Sequence, residues 1–170
     1  AEKATEGDKE TVRIDHVAYR VNDRDDAAQF FVEAFGYTVA DEFAINFENG
    51  TLARCYALTP SERTNTDEYF SAWATQADAG EYHLPPEIFV SEGSTDSIVD
   101  NWVKTNGSGI HHIAYQVKDV ATTMNNWKVA GWATFTTEEP IQADGLVQCF
   151  TEVHPLTGVV YEFIHRTRKG

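Results

Sequence analysis

"IDHVAYRVND" at residues 14–23 returns almost unchanged as "IHHIAYQVKD" at 110–119. A match of this kind at a fixed offset marks a duplicated unit. The residues after each copy match as well. "RDDAAQFFVEAFGY" carries Gly36, and "VATTMNNWKVAGW" carries Gly131. "LARCYAL" at 52–58 parallels "LVQCFTE" at 146–152, and "PEIFVSEG" at 86–93 parallels "VYEFIHRT" at 160–167. The chain therefore reads as two related halves, about 12–93 and 109–167, after a polar tail at 1–11.

Each half reads as a strand, a helix and three strands. The first strand alternates, with Val17, Tyr19 and Val21 on one face and His16, Ala18 and Arg20 on the other. Its second copy sets Ile113, Tyr115 and Val117 against His112, Ala114 and Gln116. In the next helix, Ala27, Phe30, Phe31, Ala34 and Phe35 form an apolar stripe expected to cover the strand's apolar face. Asp23 and Asp119 are the expected N-caps, and Gly36 and Gly131 suit the left-handed residue that ends each helix. The link at 94–108 reads as a short helix burying Ile98, Val99, Trp102 and Val103. Residues 59–85 have no counterpart in the second half and read as an inserted loop, with Trp73 within it.

Two histidines stand side by side in "GIHHIAYQV", and the repeat separates them. His16 is preceded by Asp15, so His112 is the equivalent of His16 and His111 that of Asp15. Imidazole nitrogen is the commonest protein ligand for transition metals, and one histidine in the same slot of each half suggests a shared ion. Glu162 sits between Tyr161 and Phe163 in an apolar strand, where a carboxylate needs a reason to be. Glu87, on the corresponding strand of the first half, pairs with it. His16, His112, Glu162 and Glu87 are thus the candidate ligands of one divalent ion (Fe, Mn, Co, Ni or Zn). His83, His154 and His165 read as surface or loop residues, and Cys55 and Cys149 as small buried hydrophobes.

These residues carry a resemblance. "IDHVAYRV", "FFVEAFGY", "GSGIHHIAYQVKD" and "GVVYEFIHR", in that order, resemble the vicinal oxygen chelate superfamily, which includes glyoxalase I, methylmalonyl-CoA epimerase, extradiol dioxygenases and hydroxyphenylpyruvate dioxygenase. The resemblance covers about 12–167. It implies an α+β fold of two tandem βαβββ modules forming a half-open mixed β-barrel with helices outside. It implies a metal held by His16, His112 and Glu162, with Glu87 as the nearest candidate for a fourth ligand. The metal would bind two neighbouring oxygens of a small oxo acid or related substrate.

The type of chemistry divides. "LVQCFTEVHPLTGVVYEFIHR" is similar to the end of hydroxyphenylpyruvate dioxygenase, which makes Gln148 a substrate contact. "DSIVDNWVKTNGSGIHHIAYQVKDV" is similar to methylmalonyl-CoA epimerase, and "FENGTLARC" places Glu48 as a candidate base for lyase or isomerase chemistry. The other class of function is a metal-free binding module of the bleomycin-resistance type. Such modules commonly lack the metal ligands and are usually dimers, so a homodimer is allowed.

Composition bounds the partners. A net charge of −14 argues against nucleic acid and anionic membrane surfaces, which both call for clustered Lys and Arg. It also weighs against a large polyanion such as coenzyme A unless basic residues line the site. Arg20, Arg54 and Arg166 are the candidate carboxylate anchors. No apolar run approaches the roughly 20 residues of a membrane span. With no signal segment visible in "AEKATEGDKE" and no disulfide pattern, a cytoplasmic location is expected.

Overall fold

The computed structural model describes residues 10–60 and 86–167. The tail as far as residue 9 and the inserted stretch 61–85, with Trp73 and His83, lie outside the described residues. The first run of elements is β1 (Thr11–Arg20), α1 (Arg24–Phe35), β2 (Thr38–Asn46), β3 (Leu52–Thr59) and β4 (Glu87–Gly93). After α2 (Ile98–Asn106) the pattern recurs as β5 (Gly109–Val117), α3 (Val120–Ala130), β6 (Ile141–Ala143), β7 (Leu146–Phe150) and β8 (Val160–Arg166). The fold is α+β, with two βαβββ runs as expected. Among the described residues no helix is long and apolar enough to cross a membrane.

The chain forms two compact units. One is His16–His111; the other joins Ala1–Asp15 to His112–Gly170. In the first unit the strand order is β2-β3-β4-β1, with β1 and β4 parallel and the other pairs antiparallel. In the second it is β5-β8-β7-β6, again with one parallel pair, β5 and β8.

Local signals fix both flanking helices. Asp23 accepts from the Asp26 amide and Asp119 from the Thr122 amide, satisfying donors that the first turn leaves open. Gly36 and Gly131 end the helices at φ 74° and 70°, where a Cβ would be strained. In the first unit Val17, Tyr19 and Val21 pack with Ile88, Val90 and Leu58 beneath Ala27, Ala28 and Phe31 of α1. In the second, Tyr115, Val117, Val147, Cys149 and Phe163 pack beneath Val120, Met124 and Trp127 of α3. Each sheet thus has a helix face. The opposite face carries His16 in one unit and His112 in the other, and is termed the histidine face.

Two expectations are corrected. The buried stripe of α1 starts one turn earlier, at Arg24, and runs through Ala27, Ala28 and Phe31, while Phe30, Ala34 and Phe35 are exposed. The cause is Arg24. Its guanidinium lies over the Tyr56 ring, donates to the Cys55 carbonyl and pairs with Glu42 at 2.7 Å, which rolls the helix toward that side. In α2, Val99 and Val103 are buried as expected, but Ile98 is exposed at the first helical position, next to the Ser97 cap.

Candidate metal centre

The parallel pairings of β1 with β4 and of β5 with β8 fix what the sequence left loose. In the second unit His112 is opposite Val160 and Ala114 is opposite Glu162. In the first, His16 is opposite Glu87 and Ala18 is opposite Phe89. Ala18 and Ala114 are repeat equivalents, so the residue in the place of Glu162 is Phe89, not Glu87. Glu87 lies two residues earlier on the same strand, about 6.6 Å along it. The expected pairing of Glu87 with Glu162 is therefore corrected.

The same slip affects the cysteines. Phe150 is opposite Glu162, Cys149 opposite Phe163 and Gln148 opposite Ile164. In the first unit Ala57 is opposite Phe89, Tyr56 opposite Val90 and Cys55 opposite Ser91. Cys55 thus occupies the place of Gln148, and Tyr56 that of Cys149. A shift of one residue moves a side chain to the other side of a sheet. Cys149 accordingly packs under α3, whereas Cys55 turns to the histidine face with its Sγ 3.0 Å from Ser91 Oγ. Both thiols are fully buried, and burial raises both above the usual thiol range, Cys149 to about 12.

In the second unit His112 and Glu162 come together, with Nε2 to Oε2 at 3.3 Å. Glu162 is buried at 3% exposure, in a strand flanked by Tyr161 and the fully buried Phe163. The Phe150 ring stands edge-on to the His112 ring at 5.7 Å and helps fix its plane. Gln148 shares this face, two residues from Phe150 on β7, and is half-buried. Among the described residues its amide has no hydrogen-bond partner.

In the first unit His16 is buried, also at 3% exposure, and stacks on Phe89 with centroids 4.0 Å apart and planes 12° from parallel. Stacking restricts the imidazole to one plane while leaving its nitrogens at the ring edge, where a ligand atom must point. Glu87 is half-buried at the start of β4. Glu48 lies exposed in the turn between β2 and β3. His111 stands edge-on to Trp102, at 5.6 Å.

The arginines are more committed than their sequence suggested. Asp15, buried next to His16 in sequence, accepts from Arg166 at 2.9 and 3.0 Å and from Gln116 at 2.8 Å. Arg54 pairs with Glu92 at 2.9 Å. No motif in the sequence announces the Asp15 pair, because Asp15 and Arg166 are 151 positions apart.

The model of the Glyoxalase/Bleomycin resistance protein/Dioxygenase superfamily matches residues 15–150. Among solved structures, a methylmalonyl-CoA epimerase is 24% identical with a TM-score of 0.68, over 95% of this chain and 100% of that one. The methylmalonyl-CoA epimerase from Mycobacterium tuberculosis is 17% identical with a TM-score of 0.66, over 97% and 95%. A variant of the Streptomyces coelicolor epimerase, in complex with 2-nitronate-propionyl-CoA, is 20% identical with a TM-score of 0.62, over 93% and 99%. At these identities the likeness is one of fold. No curated protein matches the chain.

Proposed function

The chain belongs to the Glyoxalase/Bleomycin resistance protein/Dioxygenase superfamily, and from that premise we propose that it is a metal-dependent enzyme whose ion is held by His16, His112 and Glu162. The observation that carries the reading is the buried Glu162 carboxylate facing His112 Nε2 at 3.3 Å. A carboxylate is costly to bury, and a cation bound between it and neutral imidazoles offsets that cost. Two imidazoles and one carboxylate suit Fe(II), Mn, Co, Ni or Zn. When bound, the ion supplies a Lewis acid for two neighbouring oxygens of a small oxo acid or related substrate.

The residues around the proposed ligands have separable tasks. Phe89 and Phe150 hold the two imidazole planes. Gln148, with an unengaged amide on the face of His112 and Glu162, donates from Nε2 to a substrate oxygen and so orients it. Phe89 occupies the slot that would otherwise offer a fourth ligand. Three protein ligands leave room for a chelating substrate and a further small molecule, the donor set of oxygen-using Fe(II) enzymes. We therefore favour dioxygenase chemistry.

Lyase or isomerase chemistry is the second reading, favoured by the methylmalonyl-CoA epimerases that share the fold. It needs Glu48 as the base that takes a proton next to a carbonyl, and Glu87 as a fourth ligand. Glu48 is in an exposed turn and Glu87 is two residues from the ligand slot, which weighs against both roles.

Elemental analysis tests the proposal, on protein prepared without chelator and on protein reloaded anaerobically with Fe(II). About one ion per chain is expected, lost in His112→Ala. Preferred Fe(II) directs assays to oxygen uptake with 2-oxo acids, and preferred Co, Ni or Zn to isomerase and lyase assays. No specific metal under either preparation would overturn the enzyme reading in favour of a ligand-binding module.

A further inference from the structure

Asparagine is followed by glycine at Asn49–Gly50 and at Asn106–Gly107. Such a pair is able to modify itself, because glycine has no side chain to keep its amide nitrogen away from the neighbouring side-chain carbonyl. Both pairs are exposed, both glycines have positive φ (82° and 77°), and a Cβ at either would meet nothing within 4 Å. Crowding therefore does not separate the two; hydrogen bonding does. Asn49 lies in the turn between β2 and β3. Its Oδ1 accepts from the Thr51 amide at 3.1 Å and from Thr51 Oγ1 at 2.5 Å, which folds the side-chain amide back across Gly50. Asn106 is the last residue of α2, and its Nδ2 is engaged with the Trp102 carbonyl at 2.9 Å. The Gly50 amide donates to the Phe47 carbonyl at 3.1 Å and the Gly107 amide to the Val103 carbonyl at 2.8 Å.

We propose that the folded hairpin makes Asn49 a site of self-modification, and that α2 protects Asn106. The Gly50 amide gives its proton to water or hydroxide, and its nitrogen bonds to Asn49 Cγ. The Cγ–Nδ2 bond breaks, and Nδ2 takes up a proton and leaves as ammonia. Water then opens the cyclic imide at either carbonyl, giving aspartate or isoaspartate. Charge develops on Oδ1 as the nitrogen attacks, and the two Thr51 donors are already aimed at that atom. Each glycine must first release its own carbonyl. Asn106 must in addition give up Trp102 and open the end of a helix, which slows it about 10-fold or more. Both products add a negative charge beside Glu48. Isoaspartate also lengthens the backbone of the turn that seats Phe47 against Ala53, Cys55 and Val99 on the histidine face.

The test is peptide mapping by mass spectrometry after incubation in heavy-oxygen water, in mildly alkaline buffer, with native protein beside protein in urea. In native protein the Asn49 peptide should turn into separable aspartate and isoaspartate forms, each with one heavy oxygen, about 10-fold faster than the Asn106 peptide. In urea the two rates should converge. Thr51→Val removes the hydroxyl donor and should slow native Asn49 about 3- to 10-fold, whereas Thr51→Ser keeps it and should restore the parent rate. No reaction at Asn49, Asn106 reacting as fast in the native protein, the same ratio in urea, aspartate without isoaspartate, or equal rates in the parent and Thr51→Val would each overturn the proposal.

Discussion

Replacing Asp15 with Asn keeps its shape and removes one charge, which isolates the electrostatic part of its contacts. Asp15 is 5% exposed and takes two hydrogen bonds from Arg166 and one from Gln116. Breaking a buried ion pair costs about 3–5 kcal/mol, because the remaining charge is left without compensation. The Arg166 side chain is 27% exposed, so water recovers part of that loss, and about 2–4 kcal/mol is expected. For a chain of this length that lowers Tm by roughly 5–15 °C. Urea unfolding at pH 7 measures the free energy directly, from the midpoint at unchanged slope. Arg166→Met in the Asp15→Asn background removes the stranded charge, so the double variant should lose less than the two single losses added. A loss below about 1 kcal/mol for Asp15→Asn, or simple additivity in the double variant, would refute the assignment of this pair as a buried clamp.

Two further outcomes are expected. Asp119 is held below the usual carboxylate range by the Thr122 backbone amide, so its cap contributes above the unfolded value of about 3.8 and is lost as pH falls through the lower folded value. Asp119→Ala should cost about 1 kcal/mol at pH 7 by denaturant unfolding, with the gap to the parent closing below about pH 4; a constant gap would contradict the cap. Cys55 and Cys149 are fully buried with raised pKa, so the native protein should leave both thiols unmodified by a chromogenic disulfide reagent at pH 8, and both should react after unfolding in guanidinium.

What the sequence disclosed was local. Asp23, Asp119, Gly36 and Gly131 act through their nearest neighbours, so their letters sufficed to place both helices. His16 and His112 were legible because one strand was written twice. Register was harder. Glu87 and Cys55 matched Glu162 and Cys149 by letter, yet strand pairing sets them two and one residues away from those places. Strand pairing depends on partners distant in the chain, and nothing in "PEIFVSEG" alone says which residue faces Ala18. The helix stripe failed for a related reason. Phe30 and Phe35 were the more apolar choice, but Arg24 found its acceptors on Cys55 and Glu42, across the sheet. Arg54 and Arg166 were candidate anchors by sequence, and only the structure shows them held by Glu92 and Asp15.

The membership of the second compact unit has a consequence for synthesis. It combines residues as far as Asp15 with those from His112 onward, so its two parts leave the ribosome separated by the whole of the other unit. At roughly 5–20 residues per second, Asp15 waits about 8–30 s for Arg166 to be made. The unit made of His16–His111 can meanwhile collect all its own partners. Translation order therefore readies the middle of the chain first, while the segment holding Asp15 stays without its clamp until β8 has been made.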